Sequence, residues 1–224
     1  MSCLNDLCES TATCCRVKSY MPKDVDVYRN YVRTNDCIGF ISNIDRAAMS
    51  SFYANVSYAF QNLEYIFRDV LQEGSSRGVH VSVWTHYIKT YYTTSFSIIE
   101  SMLEAALVKN GNIDVERVTD PSNRSPQAGY IINTSQSSGV ISQGLRDNLQ
   151  LFREKRNKVH LSKILETSGE TSFEEYDWRA FNLGDMAFAS KCLLDLLVEI
   201  SERDKSDGEL NSIFDFLYEA EVAE

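Results

Sequence analysis

From Ile44 onward the apolar residues recur at helical spacing. Phe52, Val56, Phe60, Leu63, Phe67 and Val70 follow one another at separations of 4, 4, 3, 4 and 3, which is one face of a helix. Gly74-Ser75-Ser76-Arg77-Gly78 ends it, because glycine commonly follows a helix C-terminus. A second helix is predicted over Val81–Lys109, with Trp84, Ile88, Tyr91, Ile99, Met102, Leu103, Ala106 and Leu107 as its apolar stripe. Its middle, Thr90-Tyr91-Tyr92-Thr93-Thr94, favours strands by propensity, but the periodic flanks carry the assignment. Asn110-Gly111 supplies the stop.

Residues 111–143 are polar and punctuated by Pro121, Pro126, Gly129 and Gly139. They read as a long polar loop or a small hairpin built from Val115, Val118, Tyr130, Ile131 and Ile132. A third helix is predicted from near Ile141 to about Glu166. A loop at Thr167–Asp177 follows and carries the capping-box spacing Ser172-Phe173-Glu174-Glu175. The fourth helix uses Phe181, Met186, Ala189, Leu193, Leu196, Leu197 and Ile200. A short fifth uses Leu210, Ile213, Phe214 and Leu217. The expected fold is all-α: a four- to five-helix bundle over residues 44–222 with a polar insertion at about 111–143. Residues 1–43 show no readable period and are assigned to an N-terminal extension.

Composition narrows the class. The chain has 224 residues, 43% apolar and 24% charged, which excludes fibrous and wholly disordered proteins. No apolar run approaches the ~18 residues of a membrane span. The net charge is −10. A general nucleic-acid binder carries a broad basic face, so any nucleic-acid chemistry here must use a small local cationic site. Met1-Ser2-Cys3-Leu4-Asn5-Asp6 shows neither the basic nor the apolar region of a signal peptide, and a cytoplasmic location is expected. Cys3, Cys8, Cys14, Cys15 and Cys37 are then read as reduced thiols, since no second ligand pair or nearby histidine completes a zinc site. The sequons at Asn55, Asn123 and Asn133 carry no weight in that setting.

One helix face is anomalous. On a wheel of about 100° per residue with Arg153 at zero, Leu145, Leu149, Phe152, Val159 and Ile164 fall within about −120° to +20°. Arg156 and His160 fall in the same arc, Arg153 at its edge and Asn157 just beyond. Lys155 and Lys158 lie on the other side and read as ordinary surface lysines. Inward guanidinium groups need carboxylates, a wet cleft or a bound anion. Glu100 and Glu104 of the second helix are candidate carboxylates. The arrangement is therefore either a satisfied ionic network at a helix or dimer interface, or an anion site.

The chemistry that suits such a group is phosphodiester transfer in RNA. A guanidinium fork grips phosphate oxygens and stabilises charge growing in the transition state. Histidine moves a proton near neutrality. RNA supplies its own 2′-hydroxyl nucleophile, so no metal or cofactor is required, and the product is a 2′,3′-cyclic phosphate.

The stretch Phe152-Arg153-Glu154-Lys155-Arg156-Asn157-Lys158-Val159-His160-Leu161 resembles the signature of the HEPN family, R-x(4–6)-H on a core helix. Arg153 and His160 enclose six residues and match it. The Arg156-Asn157 pair stands closer, with three residues between Arg156 and His160, and Glu154 follows Arg153 where the family usually has asparagine, aspartate or histidine. Ser95-Phe96-Ser97-Ile98-Ile99-Glu100-Ser101-Met102-Leu103 resembles the family's preceding core helix, with Glu100 as its acidic residue near the site. The resemblance spans about Phe52 to Ile200. It implies a helical bundle, a homodimer whose signature helices meet in a composite cleft, and metal-independent endoribonuclease activity of the kind found in toxin–antitoxin and phage-defence systems. Arg153, His160 and Arg156 would then be catalytic, with Asn157 and Glu100 supporting. RNA would be the substrate and an antitoxin or regulatory protein a further partner. The alternative implied by other members is a non-catalytic dimeric scaffold that binds a partner protein or nucleotide.

Other classes fit less well. Gly74-Ser75-Ser76 follows Asp24-Val25-Asp26, the reverse of the order a nucleotidyltransferase needs. No Walker A loop, G-x-S-x-G elbow or H-E-x-x-H helix occurs. His80 and His86 read as surface or core residues, and Tyr87, Tyr91, Tyr92 and Phe96 as core by their helical spacing.

Overall fold

A computed structural model describes residues 23–34, 46–68, 81–114, 127–157, 181–201, 210 and 212–222. Among these residues the chain forms helices and no strands. The helices are α1 (Val25–Thr34), α2 (Arg46–Tyr65), α3 (Val81–Lys109), α4 (Ala128–Ser137), α5 (Gln143–Asn157), α6 (Leu183–Ile200) and α7 (Asp215–Glu221). The all-α expectation holds.

The central element is α3, which packs against α2, α4, α5 and α6. Its bounds agree with the periodicity. The β-prone centre is helical because burial decides it: Tyr91 and Tyr92 are fully buried. The Tyr91 hydroxyl meets Ser190 Oγ on α6 at 2.8 Å, and the Tyr92 hydroxyl donates to the Phe152 carbonyl on α5 at 3.3 Å. Burying an aromatic side chain is worth about 1.5–3 kcal/mol, more than the fraction of a kcal/mol at stake in propensity. After Lys109 the chain closes in a Schellman turn. Gly111 takes φ +70°, and the Asn112 N–H donates to the Leu107 carbonyl at 2.9 Å.

The hairpin expectation is corrected. Tyr130, Ile131 and Ile132 lie in helix α4, where Gly129, Ile131, Ile132 and Ser135 form a buried face against α3. The Tyr-Ile-Ile run is β-prone in isolation, but tertiary burial at helical spacing overrides it. Val115 and Val118 lie outside the described residues. A tight turn with Gly139 at φ +76° reverses the chain into α5, whose first turn is capped by Ser142 Oγ accepting from the Leu145 N–H at 3.2 Å. The capping-box spacing at Ser172–Glu175 and the third helix beyond Asn157 also fall outside the described residues.

Helix α1 was not readable from the pattern. Tyr28, Tyr31 and Val32 nonetheless join the common core. Their rings pack on Phe60 and Phe214: Tyr28 stacks on Phe60 at 5.7 Å, and Tyr31 meets Phe214 edge-on at 4.9 Å. At the other side of the core, α6 lies between α3 and α7 and buries Cys192, whose thiol is pushed up to about 12 by burial and by the nearby Asp195 charge. No helix among the described residues is long and apolar enough to cross a membrane.

Candidate anion site at the end of α5

The stripe Leu145, Leu149 and Phe152 fixes the rotation of α5. All three are buried, and Phe152 packs against Tyr92, Phe96 and Phe188. Contacts advance along both helices together, from Tyr92–Phe152 to Phe96–Arg156 and then Glu100–Arg156, so α5 runs parallel to this part of α3. Helix α4 runs antiparallel to α5. Asn133 Oδ1 accepts from Arg146 Nε at 3.1 Å and from Gln150 Nε2 at 3.1 Å, and Gly129 meets Arg153 further along.

This frame brings Arg153, Arg156 and Asn157 to the last turn of α5, all half-buried. Arg156 stands over the Phe96 ring at 5.5 Å and faces Glu100 with an N–O separation of 3.8 Å. That distance is a charge contact and too long for a hydrogen bond. Burial holds the Glu100 carboxyl above its ordinary pKa, against the opposing pull of Arg156. Glu104, one turn on, is also raised by burial, then by the charge of Glu100. Its buried Oε1 has no hydrogen-bond partner.

Arg153 differs from Arg156. Among the described residues it makes no ion pair, and its buried Nε has no hydrogen-bond partner. Its guanidinium lies over Gly129. A Cβ at that position would fall 1.8 Å from Arg153 Nη1, so the glycine opens the space the side chain occupies. The sequence pattern read Gly129 as loop punctuation; its effect is to seat an arginine.

His160 lies outside the described residues, so the structure brings together Arg153, Arg156, Asn157 and Glu100 of the expected site and describes no histidine with them. His86 is exposed on α3. Lys155 is corrected: it is half-buried, ion-paired with Asp185 at the start of α6, and its Nζ stands 5.5 Å from the Phe181 ring centroid. The wheel placed it on the solvated arc, but α6 covers that side of α5. Asp185 also accepts from the Asn182 N–H at 2.8 Å, one half of an N-terminal cap. The Asn182-x-x-Asp185 spacing was the sequence signal for this contact.

Among the described residues no group of three or more histidine, cysteine or acidic side chains could hold a metal ion. No protein-family model, curated protein or solved structure matches the chain.

Proposed function

We propose that the chain is a metal-independent endoribonuclease of the HEPN type, acting as a homodimer in a prokaryotic toxin–antitoxin or phage-defence setting. The observation that supports it is the state of Arg153: a guanidinium seated over a glycine, half-buried, beside Arg156 and Asn157, without a carboxylate among the described residues. A half-buried cation lacking its counter-ion is ready to take an anion.

In this reading Arg153 and Arg156 grip the scissile phosphate. His160, seven residues after Arg153, moves the proton. The 2′-oxygen attacks phosphorus and loses its proton, the bond to the 5′-oxygen breaks, and that oxygen leaves protonated. The products are a 2′,3′-cyclic phosphate and a 5′-hydroxyl. Glu100 orients Arg156, and Asn157 offers an amide to the substrate.

A second reading has its own support. Glu100 already faces Arg156, as a structural network would require, which favours a non-catalytic scaffold binding a partner protein or nucleotide. RNA cleavage in EDTA separates the two. The nuclease reading expects cyclic-phosphate ends from the wild type and a fall of about 10²–10⁴ in rate for His160→Ala. Arg153→Ala should fall alongside it. A dimer that cleaves no RNA would support the scaffold.

A further inference from the structure

Helices α4 and α5 lie antiparallel, and their outer edges meet in a seam. On α5 the seam side is Arg146, Gln150, Arg153 and Asn157, at spacings of 4, 3 and 4, all half-buried. On α4, Asn133 Oδ1 accepts from Arg146 Nη2 at 3.0 Å and from Gln150 Nε2 at 3.1 Å, which levels Asn133 with those two residues. Gly129 is level with Arg153. Tyr130 therefore stands near the level of Gln150 and Arg153, about 60° round from Asn133 on the solvent side. Its side chain is 44% exposed.

Two features set this seam apart. The first is its charge. The chain carries a net −10, yet the ten residues of α4 include no acid. Arg146 meets one carboxylate among the described residues, the exposed Asp147 at 2.8 Å. An exposed pair of that kind is worth little and gives way to a phosphate. The other acid of α5, Glu154, is exposed and lies about 100° round from Arg153. The second feature is the Tyr130 ring beside this stripe. An accessible aromatic face stacks any base, and neighbouring guanidinium groups hold the backbone.

We propose that the α4–α5 seam is a track for single-stranded RNA. Tyr130 stacks the base that flanks the phosphate at Arg153, and Arg146 holds a phosphate further along the strand. The two arginines are seven residues apart on one helix, about 10 Å along its axis. The inference rests on the nuclease reading for the position of the scissile phosphate. It adds a contact to a base, which a site for bare phosphate lacks. Bases inside a duplex are stacked on both faces, so the track takes unpaired strands.

Fluorescence anisotropy of a labelled single-stranded 2′-deoxy octanucleotide with the full chain tests it. Tyr130→Ala should bind about tenfold more weakly, and Tyr130→Phe, which keeps the ring, within about twofold of the wild type. Both should melt with the wild type, because the ring is exposed. Arg146→Ala should weaken binding and flatten its salt dependence by about one unit of slope. The same octamer made duplex should bind about tenfold more weakly than the single strand. Wild-type affinity in Tyr130→Ala would overturn the proposal. So would equal affinity for the duplex, or no binding of the octamer by the wild type. Cleavage is not the readout, so the two readings fail separately. A chain that binds through Tyr130 and cuts no RNA keeps the track and loses the nuclease. Binding that depends on Arg153 and ignores Tyr130 loses the track alone.

Discussion

Among the described residues two partly buried charge clusters differ in how completely their cations are paired. Where α1, α2 and α7 meet, the fully buried Glu64 accepts from the Lys23 N–H at 2.7 Å and the Tyr28 hydroxyl at 2.8 Å. Arg68 grips Glu219 through two bonds of 2.7 and 3.0 Å and reaches Asp215 at 3.2 Å. Lys23 Nζ donates to the Ser212 and Ile213 carbonyls at 3.0 Å. Where α3, α4 and α5 meet, by contrast, Arg156 has one long contact to Glu100, and Arg153 has no ion pair among the described residues. The first cluster ties helices together. The second leaves its two arginines with a single long carboxylate contact between them among the described residues.

The largest expected effect breaks the more fully paired cluster. Glu64→Ala strips the buried Tyr28 hydroxyl and the Lys23 N–H of their acceptor and removes the carboxylate beside Arg68. It should cost about 3–5 kcal/mol in urea unfolding, because one partner of a buried charged network is left behind. A loss under about 1 kcal/mol would erase the distinction between the clusters.

A smaller effect sharpens the other side. Gly129→Ala places a methyl where the Arg153 guanidinium now lies. The colliding atoms end a flexible side chain, so the arginine moves and the backbone stays. Stability should hold or rise by up to about 1 kcal/mol from helix propensity. RNA cleavage should fall about tenfold, because a displaced guanidinium no longer meets the phosphate. Unchanged cleavage would show that the position of Arg153 does not matter.

The contrast between the clusters also marks what the sequence could reveal. The span of α3 was legible because its long apolar stripe and Asn110-Gly111 stop are local signals. So was the inward arc of α5, since Leu145, Leu149 and Phe152 set its rotation. Helix α1 was not, because its hydrophobic face consists of two tyrosines and a valine whose burial depends on Phe60 and Phe214, far away in sequence. Lys155 was misread for a similar reason: a wheel gives one helix's own period and carries no information about a second helix arriving on its polar side. The seat of Arg153 on Gly129 is a pairwise tertiary fact with no periodic signature.

The smallest effect is a pH dependence. Glu104 is raised in the fold by burial and by Glu100, so the folded chain holds its proton more tightly than the unfolded chain. The charged form therefore opposes folding above the raised value, and that penalty is relieved as pH falls through it toward the ordinary 4.5. Glu104→Gln should raise stability at neutral pH by on the order of 1 kcal/mol and flatten the profile in that window. Thermal melts of both proteins across the acid range check the sign. A wild type that loses stability in that window as strongly as the glutamine variant would contradict it.

The most direct measurement of the central claim is binding of a 2′-deoxy oligonucleotide, which carries the phosphate but cannot be cleaved, to the wild type and to Arg153→Ala. An arginine held without a counter-ion for a phosphate predicts about 10–100-fold weaker binding in the variant, with little change in its unfolding free energy. Equal affinity in the two proteins would contradict the account and leave Arg153 as part of the bundle's packing.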